Sequence, residues 1–158
     1  MMKQASIQEI RQELQTLDKK ELLSLCNQLA KYKKDNKEFL SYLLFDASDI
    51  QAYIQSIKIT ITDNFETINW QQVYYAKKSL RKILRIITKF VRFSGEPEVE
   101  VALLIHFCAL LKAAPLPIQK YPVLQNIYQM QLKKIQHQVL QLHEDIQFEF
   151  LREVKKII

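Results

Sequence analysis

The sequence predicts an all-α fold, with about seven helices stacked as antiparallel helical hairpins in a single domain over residues 1–158. Three observations lead there. The chain holds one glycine, Gly95, and four prolines, whereas sheets with tight hairpins need residues that tolerate positive φ. Apolar residues recur at spacings of three and four along most of the length, the period of a helix face. Helix-start signals also punctuate the chain at short intervals. At 158 residues with 48% apolar and 25% charged side chains, the chain has the size and composition of one globular domain with a substantial core.

Ser6 with Glu9, Asp18 with Glu21 and Asp35 with Glu38 each have the capping-box spacing, in which two side chains satisfy orphan amides at a helix N-terminus. They predict helices over 6–16, 18–34 and 36–45. A fourth helix is expected from Ser48, with Ile50, Tyr53, Ile54, Ile57, Ile61 and Phe65 on one face. Its segment IKITIT alternates like a strand, but no second strand-like segment exists to pair with it, so the helical reading stands. A long fifth helix runs from Asn69 to about Phe93. Gly95 follows where a left-handed C-terminal cap is wanted, and Pro97 suits the first turn of the next helix.

That sixth helix carries VEVALLIHFCALLKAA, apolar almost all round, and is expected at the centre of the fold. Residues 115–122, PLPIQKYP, hold three prolines and form the connector before the C-terminal long helix. Beyond it the pattern is helical over 123–156, as one helix or as two broken near His143. The longest apolar run, from Val99 to Leu111, falls short of the roughly 20 residues a membrane span needs. The N-terminus lacks the unbroken apolar stretch of a secretory signal. A soluble protein without a membrane span is expected. Cys26 and Cys108 sit in segments that read as buried helix faces. Free, packed thiols in turn suggest a cytoplasmic location.

The charge is unevenly distributed. The net charge is +6, yet residues 70–95 contain seven basic side chains and no acid, while the flanking parts together come to −1. At about 100° per residue, Lys77, Lys78, Arg81, Lys82, Arg85, Lys89 and Arg92 fall within an arc of about 140°. Ala76, Leu80, Ile83, Leu84, Ile87, Phe90 and Val91 occupy the other side. Trp70 and Tyr74 fall on the basic arc, in line with the cations. Such a stripe suits an acidic protein partner, which is the leading reading. Alternatively, cations interleaved with aromatic rings track a phosphate backbone and stack bases, and an anionic membrane surface would attract the same charge. A solvated face paired with acids from neighbouring helices is the structural counterpart. The groups able to neutralise it are Glu96, Glu98 and Glu100, and Glu144, Asp145, Glu149 and Glu153.

Catalytic chemistry finds little support. A dinucleotide-binding turn, a phosphate loop and a nucleophile elbow each need two or more closely spaced glycines. His106 and Cys108, two apart on a helix, diverge by about 200°, and His137 and His143 diverge likewise. No metal, no cofactor and no enzymatic activity are expected. In the last helix, Tyr128, Leu132, Ile135, Val139, Leu142 and Ile146 recur at 4-3-4-3-4, a heptad seam. It serves either as packing against the central helices or as a homodimer surface.

The stretch LDKKELLSLCNQLAKYKKDNKEFLSYLLFD resembles the opening of a family of small bacterial all-helical proteins. Their pattern is a lysine-rich L-x-K-x-E-L helix followed by a D/N-x-x-x-F-L helix. The similarity covers under a third of the chain and is a packing pattern with no activity attached. The succession of helical hairpins is also loosely similar to tetratricopeptide and HEAT-like scaffolds, which implies a scaffold role by analogy of fold alone. No regular repeat period is present.

Overall fold

Helix-start chemistry works as expected at the first two caps. In the computed structural model, which describes residues 4–158, helix α1 (Ile7–Thr16) opens on Ser6. The Ser6 hydroxyl accepts from the Glu9 amide while the Glu9 carboxylate accepts from the Ser6 amide. Helix α2 (Lys19–Tyr32) opens on the same reciprocal pair made by Asp18 and Glu21. The third expected box is not used. Helix α3 (Lys34–Ser41) starts earlier, because one extended residue, Lys33 (φ −140°, ψ 146°), both ends α2 and caps α3. Asp35 therefore lies inside the first turn of α3. A π-helical turn, Tyr42–Asp46, follows.

Helix α4 (Ile50–Glu66) is capped by Asp49, whose carboxylate accepts from the Ala52 amide at 2.9 Å. It contains the whole IKITIT segment. Tyr53, Ile54, Ile57, Ile61 and Phe65 of the expected face are buried and Ile50 is half-buried. Helix α5 (Val73–Ser94) ends on Gly95 at φ 68°, whose amide donates to the Val91 carbonyl. Helix α6 (Pro97–Lys112) starts on Pro97 as foreseen. The proline-rich connector folds into a 3-10 turn, Ile118–Lys120, and Pro122 then opens α7 (Pro122–Val139). Helix α8 (Glu144–Ile157) completes the chain. Eight α-helices thus form among the described residues where about seven were expected, because 123–156 breaks near His143. There the Gln147 side chain donates to the Leu142 carbonyl, and His143 caps α8. All regular structure among the described residues is helical. No helix among them is long and apolar enough to cross a membrane.

Two compact units are distinguished along the chain, one up to Phe45 and one from Asp46 onward. In the first, α2 packs on α3 and Tyr42 is the buried side chain. The second holds the core. Nine side chains of α6, among them Phe107, Cys108 and Leu103, are buried, and α6 touches α4, α5, α7 and α8. Around it α4 packs on α5, α5 on α7, and α7 on α8. A helix that is apolar on every side has to be enclosed in this way.

The heptad seam is internal packing. Tyr128, Leu132, Ile135 and Val139 are buried in α7, and the Tyr128 hydroxyl donates to the Ile157 carbonyl in α8. Leu142 and Ile146 lie beyond the break, half-buried. The seam is therefore neither continuous nor free to serve as a homodimer surface. Cys26 departs from expectation too: it is exposed on α2, whereas Cys108 is fully buried.

Candidate basic binding surface

Helix α5 separates its two chemistries cleanly. Ala76, Leu80, Ile83 and Ile87 are buried against the core, which fixes the rotation of the helix and turns the basic arc outward. Lys78, Arg81, Lys82, Arg85 and Arg92 are exposed, and Lys77 and Lys89 are half-buried. Stems of long cationic side chains commonly lie along apolar surface in this way. Lys77 Nζ stands over the Tyr74 ring at 5.5 Å and Lys89 Nζ over the Phe90 ring at 5.3 Å.

Among the described residues no carboxylate forms an ion pair with Lys77, Lys78, Arg81, Lys82, Arg85 or Arg92. The acids able to neutralise the stripe are engaged or placed elsewhere. The Glu98 carboxylate accepts from the Gln51 side chain at 2.7 Å, and Glu100 pairs with Lys134 of α7 at 2.5 Å. Glu149 and Glu153 line a groove between α4 and α8. Asp145 lies 3.3 Å from the His143 ring. None of these acids forms an ion pair with Lys77, Lys78, Arg81, Lys82, Arg85 or Arg92 among the described residues.

The aromatic end of the surface differs from expectation. Helix α5 begins at Val73, since the Asn69 side chain accepts from the Gln71 amide and holds a turn before it. Trp70 therefore precedes the helix and is half-buried, its ring 6.4 Å from that of Phe65. It packs against Phe65 and is not part of α5. Tyr74 keeps its place, 64% exposed. Tyr75, at the edge of the arc and absent from the sequence expectation, joins it at 47% exposure. The two rings meet edge to face at 5.4 Å. The signal for Tyr75 was its position about 20° outside the cationic arc.

His106 is half-buried on α6, with Nε2 2.9 Å from Thr62 Oγ1. The Thr62 hydroxyl donates to the Lys58 carbonyl, so the threonine oxygen accepts from the imidazole N–H. Burial, assisted by the Lys58 charge, holds the His106 pKa below its ordinary value of 6.5. Folding thus favours neutral His106, and this stabilisation is present at pH 7 and lost as pH falls below about 6.5. His106→Asn is expected to flatten the rise in urea midpoint between pH 5 and 7. An unchanged slope would assign it to other groups. His106 and Cys108 diverge on α6, and no metal-holding cluster of His, Cys, Asp or Glu occurs among the described residues.

Burial pushes the Cys108 thiol up to about 12. Because the thiolate is the reactive species, a disulfide reagent at pH 8 should modify one thiol, Cys26, in the folded protein. The second should react only after denaturation. Two fast equivalents would contradict the packing of α6.

These positions define the class: an all-α protein whose helix α5 carries exposed Lys78, Arg81, Lys82, Arg85 and Arg92 on one side. Compared with protein-family models, curated proteins and solved structures, the chain finds no match in any of the three.

Proposed function

We propose that the protein is a non-catalytic helical interaction or scaffold protein that binds an acidic protein partner through the outer face of α5. The single observation that carries this reading is the set of exposed cations Lys78, Arg81, Lys82, Arg85 and Arg92, which have no ion-pairing carboxylate among the described residues. The fourteen residue steps from Lys78 to Arg92 span about 21 Å of helix, enough to meet several carboxylates of one partner helix. Exposed charges of this kind steer encounter and set register.

The exposed Tyr74 and Tyr75 pair beside Lys77 and Lys78 favours nucleic-acid binding as a second reading, since aromatic rings beside a cationic track offer stacking platforms. One experiment separates the two. A labelled acidic helical peptide and a mixed-sequence single-stranded RNA are titrated with the protein and followed by fluorescence anisotropy at low and moderate salt. Saturable binding of the peptide with weak RNA binding supports the leading reading. RNA binding that falls steeply with salt supports the second, and flat signals for both probes contradict both.

A further inference from the structure

Helices α4, α5, α7 and α8 all pack on α6, and α4 packs on α5, α5 on α7 and α7 on α8. Helices α4 and α8 flank a groove of 540 Å³. Each wall presents a two-turn helix face. On α4 it is formed by Gln51, Ile54, Gln55 and Lys58, and on α8 by Ile146, Glu149, Phe150 and Glu153. Both sets follow the spacing i, i+3, i+4, i+7, the register with which a helix meets a neighbouring helix. The apolar lining of the groove comes from Ile54 and Ala102, both buried, and from Ile146 and Phe150, both half-exposed.

The rim is acidic. Glu98, Glu149 and Glu153 line the groove against a single cation, Lys58. Glu98 already accepts from Gln51, while Glu149 and Glu153, one turn apart on α8, have no ion pair among the described residues. This is the reverse of the charge on α5, and the groove lies on other helices than α5, so the argument is independent of that stripe.

We propose that this groove is a docking site for a basic amphipathic helix of another protein. Such a helix lies between α4 and α8. Its apolar face seats on Ile54, Ala102, Ile146 and Phe150, and Lys or Arg four residues apart reach Glu149 and Glu153. This is helix-in-groove recognition, in which apolar anchors supply affinity and flanking charges supply register. Charge decides the occupant: three carboxylates repel an acidic helix, and the net charge of +6 opposes indiscriminate uptake of cationic peptides.

The test uses a fluorescein-labelled 18-residue peptide with leucines on one helical face and lysines on the other, a scrambled peptide of the same composition, the intact protein and its E149K/E153K variant. The expected result is saturable one-to-one binding of the amphipathic peptide, with methyl shift changes at Ile54 and Ile146. The scrambled peptide and the charge-reversed variant should each bind at least tenfold more weakly. Unchanged melting of the variant shows that it is folded; if it unfolds, the methyl shifts of the wild-type protein decide. Equal binding of both peptides, shifts confined to other helices, or no binding would overturn the proposal. So would concentration-dependent self-association abolished by E149K/E153K, which would make a second copy the occupant.

Discussion

Reversing Arg81 and Arg85 to glutamate is expected to weaken binding of an acidic helical peptide by about 2–3 kcal/mol at low salt, roughly 30- to 160-fold, while leaving the melting temperature nearly unchanged. Both guanidinium groups are exposed and unpaired with any described carboxylate, so neither supports the fold through an ion pair. The buried side of the same helix, Ala76, Leu80, Ile83 and Ile87, is untouched, and surface changes of this kind usually stay within about 0.5 kcal/mol. Each reversal removes one attraction and adds one repulsion, of about 1 kcal/mol each in water before screening, so the loss should shrink as salt rises. A control with the same change in net charge, Lys120→Glu with Lys133→Glu on exposed positions, should bind nearly as well as wild type. Equal losses in both variants would show that only net charge matters. A large fall in melting temperature for R81E/R85E would make the stripe structural.

Phe107→Ala is expected to have the largest effect on stability, about 3–5 kcal/mol, the range for truncating a buried aromatic ring. Phe107 is fully buried on α6. Its ring meets Phe65 of α4 edge to face at 5.4 Å, and Phe65 in turn packs against Trp70. Truncation leaves a cavity among the helices packed on α6, which cannot readily collapse. Against a total of about 5–15 kcal/mol for a typical domain, the variant loses much of its margin. Urea unfolding followed by circular dichroism and by Trp70 fluorescence measures the change. Ile59→Ala, at a 63% exposed position on α4, should be nearly neutral. A loss below about 1 kcal/mol for Phe107→Ala would contradict the central position of α6.

What could be read in advance follows a physical division. Features set within one turn of chain were legible: the reciprocal caps at Ser6 and Asp18, the left-handed stop at Gly95 and the proline start at Pro97. Strong periodicity was legible too, since α5 shows its buried and basic faces where the 3.6-residue period puts them. IKITIT is helical because Ile57 and Ile61 are buried on the face with which α4 packs on α6 and α5, while Ile59 faces outward, rather than the segment pairing as a strand.

Competing local signals were harder to read. Asp35 with Glu38 has the right spacing, but the single-residue link at Lys33 starts α3 before it. The turn held by Asn69 removes Trp70 from α5, although an ideal helix would put it on the basic arc. The heptad seam was visible as a pattern, while its partner, the core of the same chain, is a tertiary fact. Cys26 looked buried because α2 is amphipathic, yet Cys26 and neighbouring apolar side chains of α2 such as Leu23 and Leu29 remain exposed. The α4–α8 groove left no sequence signal. Its walls mix Gln, Ile, Lys, Glu and Phe, and only the packing of both helices on α6 brings them together.

Binding through the outer face of α5 would leave its mark on the backbone amides along that helix. The most direct measurement is amide chemical-shift mapping of the isotope-labelled protein during titration with the acidic helical peptide at low salt. Shift changes concentrated between Tyr74 and Arg92, reversed by added salt and missing in R81E/R85E, are the predicted result. Changes centred on other helices, or none while the peptide stays in excess, would contradict it.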